Sequence, residues 1–182
     1  MKDILAPSKY RTREEQETNE TGGCVKCKRS RCDLCKNFLI ESKNFFQSFQ
    51  TNKKYSIKPK LSCDSKNVIY LASCNKCRLQ YVGSTATEFK VRFRNHKSSM
   101  ATNKKTCEVA VHFNNSPHAL SDFSFQCIDQ VSVTDSTENV DKLLITKEAY
   151  WSAQLFSLAP FGLNKRQEFH SRNRITYNQP TT

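Results

Sequence analysis

The chain has 182 residues, 29 Lys and Arg against 17 Asp and Glu, a formal charge of +12, nine Cys and four Gly. Such a length holds one ordinary domain, or a small domain with an appended module, and excludes two large ones. No apolar run approaches the roughly eighteen residues of a membrane span, and residues 1–20 have neither the apolar stretch nor the small-residue cleavage site of a secretory signal, so a soluble chain with reduced cysteines and no membrane partner is expected.

Residues 1–22 are polar, mix charges in RTREEQETNE and offer few apolar anchors, the composition of a linker or disordered lead-in. Residues 23–63 are rich in Cys and Lys and too poor in aliphatics to fold alone, and a bound metal could supply the missing stability. NVIYLAS (67–73) and QYVGS (80–84) are β-branched and aromatic runs that read as two strands of an antiparallel hairpin, with a CxxC pair in the turn. Thr87 is placed to cap a helix over residues 88–100, with Phe89, Phe93 and Met100 on one face and Arg92 and His96 on that same face. A short helix over Glu108–Asn114 and a strand over 123–129 follow. A long helix then runs from about Ser136 to Ser157, with Leu144, Trp151 and Leu155 as its buried stripe and Glu148 interrupting it. Pro160, FGLNKR and a polar tail over 170–182 complete the chain.

Charge is unevenly distributed along this order. Residues 23–105 hold 19 Lys and Arg against 4 Asp and Glu, and residues 106–150 hold 2 against 7. The basic half, gathered round the cysteines, points to nucleic acid, because each phosphate neutralised by Lys or Arg releases condensed counterions; a merely solvated basic face is the lesser alternative.

Clustered cysteines at short spacing in a reduced chain point to metal, and an odd number of them cannot all pair as disulfides. Cys24, Cys27, Cys32, Cys35 and Cys63 offer five thiols for one four-coordinate zinc; Cys27, Cys32, Cys35 and Cys63 are the preferred set and Cys24 the substitute. Cys74, Cys77, His112 and His118 form a two-Cys, two-His set suited to a second tetrahedral zinc, with His96 a rival for one place. Both sites look closed and structural. Cys107 and Cys127 read as ordinary buried residues. Glu148, on the core-facing side of its helix, needs a partner, because burying an unpaired charge is costly. Spacing alone leaves a structural ion pair, with Arg92 or Lys147, and a reaction site equally open for Glu148, Arg92 and His96.

Val68-Ile69-Tyr70 followed by Tyr81-Val82-Gly83, then Arg92 with His96 four residues on, Glu148 with Trp151 after it, and Asn164 in Gly-Leu-Asn resemble, in that order, the signatures of the GIY-YIG nucleases. Val replaces the first Gly and the middle Ile. The Cys-rich lead-in and the LASCNKCRLQYVGST hairpin narrow the resemblance to the endonuclease domain that Penelope-like retroelements carry behind their reverse transcriptase, and MKDILAPSKY resembles the connection between the two. The resemblance implies an α+β GIY-YIG nuclease fold: a small three-stranded antiparallel sheet flanked by helices over residues 64–169, behind the zinc-binding segment 23–63. It implies a chain that is a C-terminal piece of a longer element protein, or a free-standing descendant of one.

It also implies roles. Glu148 would hold one Mg2+, a hard ion suited to carboxylate oxygen, beside the leaving 3′ oxygen. Arg92 would stabilise the pentacovalent phosphate. Tyr70 would activate water, which requires Arg92 and the metal to lower a phenol pKa near 10. Tyr81 and His96 would orient the nucleophile and phosphate, Gly83 would leave room for the substrate, and Asn164 would brace the site or its C-terminal turn. The expected activity is nicking of DNA in the nucleus, leaving a 3′ hydroxyl that primes reverse transcription, with the reverse transcriptase domain and the element RNA as further partners. Two rivals stand: a non-catalytic zinc-dependent nucleic-acid-binding module, and a structure-specific repair nuclease of the same fold.

Overall fold

The structure is a computed structural model and describes residues 22–42, 44–115, 117–132 and 139–165; the expected tail over 170–182, and all but Gly22 of the expected lead-in, lie outside the described residues. In chain order come β1 (Gly23–Val25), a π-helical turn (Leu34–Phe38), β2 (Phe45–Gln47), β3 (Lys54–Ser56), β4 (Lys60–Ser62), β5 (Val68–Cys74), β6 (Gln80–Thr85), α1 (Phe89–Ala101), α2 (Glu108–Asn114), β7 (Phe123–Gln130) and α3 (Val140–Gln154). The architecture is α+β, with the expected small antiparallel sheet, ordered β6-β5-β7, and flanking helices.

All seven residues of β5 are buried, which explains why its sequence lacks the polar alternation of a half-exposed strand. On one face, Tyr70 meets the Phe125 ring at 4.7 Å, and Phe125 stacks on Phe89 of α1 at 4.6 Å and 6°. On the other side α3 packs along β6 and β5. The β5–β7 register slips between Ile69 and Tyr70, which face Asp129 and Cys127, so Ile128 is an extra residue, a β-bulge.

The cysteine-rich segment does not stand apart from this core. β1 pairs in parallel with β4, Ile40 N–H donates to the Phe125 carbonyl at 3.0 Å, and Leu34, Leu39, Phe46 and Leu61 are buried in the same cluster as Phe125.

Two helix starts differ from the sequence reading. α1 begins at Phe89 with Glu88 in the cap position and no side-chain cap bond. The Thr87 hydroxyl instead pairs with Thr85 Oγ1 at 3.0 Å, and the helix's unpaired N–H groups go to the turn after β4: Phe89 N–H to the Ser65 carbonyl and Lys90 N–H to the Cys63 carbonyl. α3 spans Val140–Gln154, with the Asn139 side chain capping Lys142 N–H at 3.1 Å; residues 136–138 lie outside the described residues. Leu144 and Leu155 are buried as expected, whereas Trp151 is half-buried because its indole N–H is donated to Asp129 Oδ2 at 2.9 Å.

Candidate active site and metal centres

Central strand β5 carries Tyr70 into the sheet core, where its ring has no exposure. Its hydroxyl lies between two groups one helical turn apart on α1: Arg92 Nε donates to Tyr70 Oη at 2.8 Å, and His96 Nε2 lies 2.8 Å from the same oxygen. Phe89 and Phe93 of the same helix are buried against Phe125, which fixes the orientation of α1 and therefore of Arg92 and His96. Tyr81, on β6, brings its ring within 5.9 Å of His96 and 6.4 Å of Tyr70. Gly83 faces Tyr70 across the ladder, and a Cβ there would collide with the Tyr70 phenol and crowd the Tyr81 ring. Only Gly lets that phenol lie flat against the next strand.

The electrostatics of the buried cluster follow from its burial and from Arg92. Burial, and next the neighbouring Tyr81, push the Tyr70 phenol well above its usual pKa; the Arg92 charge and hydrogen bond pull it down but are outweighed. Burial, and then Glu148, push Tyr81 up to about 12. Burial, then the Arg92 charge, hold His96 down at about 3, so its imidazole is neutral at ordinary pH and can accept the Tyr70 proton at Nε2. Unfolded His96 takes a proton near 6.5, whereas folded His96 resists until about pH 3. The unfolded state therefore binds more protons in that window and stability falls as pH falls. Wild type is expected to lose about 1.4 kcal/mol per pH unit below 6.5 from this group, and His96→Gln to lack that part of the slope; denaturant melts of both proteins from pH 7 to 4.5 check it, and parallel curves would refute the buried neutral imidazole.

Glu148 is half-buried, and its carboxylate accepts the Ser84 hydroxyl at 2.5 Å, beside Gly83. Among the described residues no cation lies within ion-pair distance of it. Lys147, the suggested partner, instead binds Asp129 at 2.8 and 2.9 Å. Asp129 thus holds α3 on both sides of Glu148, through Lys147 and Trp151, from the strand that the bulge displaces. Asn164 spends both ends of its amide on Val82, accepting from its N–H at 2.9 Å and donating to its carbonyl at 2.7 Å. These two bonds tie the turn after α3 to edge strand β6, the bracing expected of Asn164.

The two metal-ligand sets assemble as grouped from the sequence. The Sγ atoms of Cys27, Cys32, Cys35 and Cys63 lie within 4.8 Å of one another, as do the ligand atoms of Cys74, Cys77, His112 and His118. Cys74 Sγ is 3.5 Å from His118 Nδ1 and Cys77 Sγ is 3.4 Å from His112 Nε2, the edge of about 3.5 Å that a tetrahedral centre bonded at about 2.3 Å to sulfur and about 2.1 Å to nitrogen requires. Burial, then His118, lowers the His112 pKa, which favours the neutral form that ligates. In the four-Cys set the Arg29 backbone N–H and then its guanidinium bring Cys27 down to about 6, while burial pushes Cys35 up to about 11 and Cys63 higher still. Thiols packed this closely ionise together only around a cation. Arg29 reinforces the site, donating to Cys63 Sγ at 3.4 Å and pairing with Asp64. Both sets therefore fit a metal ion.

Cys24 is not a member of the four-Cys set; it is buried against Cys127, whose N–H donates to its sulfur at 3.4 Å. His96 is not in the second set either. Cys107 departs from the expectation of an ordinary buried residue: it is half-buried, and its sulfur lies 3.8 Å from His96 Nδ1. Ser84, Asp129 and Cys107 are the site residues that sequence reasoning missed. Each acts through a neighbour on another element, and no spacing within one helix or strand signals that.

No family profile matches the sequence, and no curated protein does. Two solved structures are similar. One is the catalytic domain of the homing endonuclease I-TevI, 21% identical, with 56% of this chain and 100% of that chain covered and a TM-score of 0.42. The other is a mutant of the catalytic domain of the intron endonuclease I-TevI, 23% identical, with 55% of this chain and 93% of that chain covered and a TM-score of 0.42.

Proposed function

We propose that this chain is a metal-dependent DNA endonuclease of the GIY-YIG type that hydrolyses one phosphodiester per visit, built round one catalytic Mg2+ and two structural zinc ions. The observation that carries the reading is Tyr70 Oη held at 2.8 Å by both Arg92 Nε and His96 Nε2, opposite Gly83, whose neighbour Ser84 binds a carboxylate, Glu148, that no protein cation neutralises among the described residues. When bound at Glu148, Mg2+ supplies charge that stabilises the departing 3′ oxygen.

The remaining steps belong to the chain. Arg92 commits Nε to Tyr70 and, among the described residues, leaves its two terminal nitrogens for phosphate oxygens. In its phenolate form, which the Arg92 charge and hydrogen bond favour against burial, Tyr70 takes the proton of the attacking water, while neutral His96 Nε2 holds Oη in place. Cys107 lies behind His96 at Nδ1. Tyr81 and Gly83 shape the floor against which the strand lies, and Asp129 and Asn164 hold α3 and β6 in place.

On the resemblance of its motifs, the chain belongs to a Penelope-like retroelement, works on chromosomal DNA in the nucleus beside the reverse transcriptase domain and element RNA, and leaves a 3′ hydroxyl as primer. Incubation with supercoiled plasmid and Mg2+ at low salt tests this. Nicked circles that a polymerase extends directly are expected. Ends extendable only after phosphatase treatment would sink the priming role, and binding without any cut would leave a nucleic-acid-binding module.

A further inference from the structure

We infer that a groove on the sheet face away from Tyr70 binds a single unpaired nucleobase, with the phosphates on either side held by the β2–β3 hairpin. The inference rests on the nucleic-acid reading above but not on catalysis. The groove encloses about 190 Å³ between that hairpin and the strands, with Phe45, Phe49, Leu71, Ser73, Gln80 and Gln126 in its lining. At roughly 30 Å³ per water it has room for about six waters, the bulk of one planar heterocycle rather than a stretch of chain.

Three features identify the occupant. First, a cation lies over each of the two rings: Lys54 Nζ is 4.9 Å from the Phe45 centroid, and Arg78 Cζ is 3.7 Å from that of Phe49. Aromatic walls with cations at the rim are what a base and its phosphates need. Residues 42–63 hold five Lys and no Asp or Glu. The single acid in the groove's lining, Glu41, is engaged by the Lys26 N–H at 3.3 Å.

Second, Gln126 lines the groove and is mostly buried, and its amide, which has no protein hydrogen-bond partner among the described residues, keeps its polar atoms open to the groove. The neighbouring Gln80 is fully engaged, accepting from Phe49 N–H at 2.8 Å and donating to the Gln47 carbonyl at 3.1 Å. An amide open to the groove offers one donor beside one acceptor, which matches the edge of a base.

Third, the hairpin is fixed to the elements that carry the candidate active site. Ser48 Oγ donates to the Leu155 carbonyl at 3.0 Å and Tyr55 Oη to the Gln154 carbonyl at 2.8 Å, both at the end of α3, and Gln80 opens β6. A base seated here would hold a strand at a set distance from Tyr81 and Glu148.

Fluorescence anisotropy with labelled single-stranded DNA, single-stranded RNA of the same sequence and the matching duplex tests the inference. Phe45 is 45% exposed, so Phe45→Ala leaves the core intact; it is expected to weaken single-strand binding about tenfold and duplex binding much less. Gln126→Leu is expected to weaken single strands several-fold and to narrow the difference between bases. Metal content and melting temperature verify the fold of both. In the wild-type protein, photo-crosslinking of an iodouracil strand is expected to label Phe45 or Phe49, a readout that needs no variant. The DNA and RNA arms identify which strand supplies the base. Wild-type-like single-strand binding by both variants, or crosslinks confined to other elements, would overturn the inference. Plasmid nicking is scored separately: cutting without single-strand preference removes the groove alone, and single-strand binding that depends on Phe45 without cutting removes the nuclease alone.

Discussion

Glu148→Gln is expected to abolish plasmid nicking, with turnover down on the order of 10³-fold or more, while DNA affinity, metal content at the cysteine sites and melting temperature stay near wild type. The substitution keeps the shape of the side chain and an acceptor for the Ser84 hydroxyl. It removes the charge, and among the described residues no protein cation depends on that charge. Arg92→Lys is expected to fall almost as far although a cation is retained. Lysine offers a point charge on a flexible stem and cannot both hold Tyr70 Oη and fork onto a phosphate. In Arg92→Ala the Tyr70 phenol also loses the two influences that lower its pKa, so the pH at which activity rises should move upward. Single-turnover nicking across pH, beside binding measured in Ca2+, separates these effects. An Arg92→Lys enzyme within threefold of wild type would show that the guanidinium geometry is not used, and would return Arg92 to the role of a buried structural partner of Tyr70.

The parts of the site legible in the sequence are those written in one element's period. Arg92 and His96 share a helix face with Phe89 and Phe93, so the spacing alone brings them to one place, and the structure adds that the place is Tyr70 Oη. The eight candidate metal ligands were legible because a CxxC or a cluster of cysteines at short spacing has few alternatives and needs partners that His112 and His118 can supply, and Cys24 stays outside because the pairing of β1 with β4 turns it towards Cys127.

What the sequence could not show depends on tertiary context. Asp129 clamps α3 because a bulge displaces it, and a bulge leaves no mark in the pattern FSFQCIDQ. Thr87 has the chemistry of a cap but finds Thr85 nearer than the helix. Tyr70's pKa goes up and not down because full burial, which no motif reports, outweighs one neighbouring Arg.

Removing metal from the four-Cys centre is expected to cost the fold more than any single core substitution. Structural zinc contributes on the order of 10–16 kcal/mol in small modules, comparable with the 5–15 kcal/mol total stability of a typical domain. Cys63 ties this centre to the candidate active site, because its carbonyl caps α1 at Lys90 N–H, 2.8 Å away, and its sulfur belongs to the ligand set. Cys63→Ser should therefore lower the metal content from two ions per chain to one, unfold the segment from β1 to β4, and loosen the helix that carries Arg92 and His96, so that nicking is lost without any change to a reacting group. Cys77→Ser should also lose one ion, but its centre staples the β5–β6 turn to α2 and the residues after it, so the sheet core and its Tyr70 contacts should survive longer. Elemental analysis with hydrogen exchange measures both outcomes: protection lost across residues 23–63 and α1 in Cys63→Ser, and confined to the turn and α2 in Cys77→Ser. If chelation strips both ions and the melting temperature does not move, the thiols are not structural ligands, and the packing of Leu34, Leu39, Phe46 and Leu61 against Phe125 alone would have to hold the segment in place.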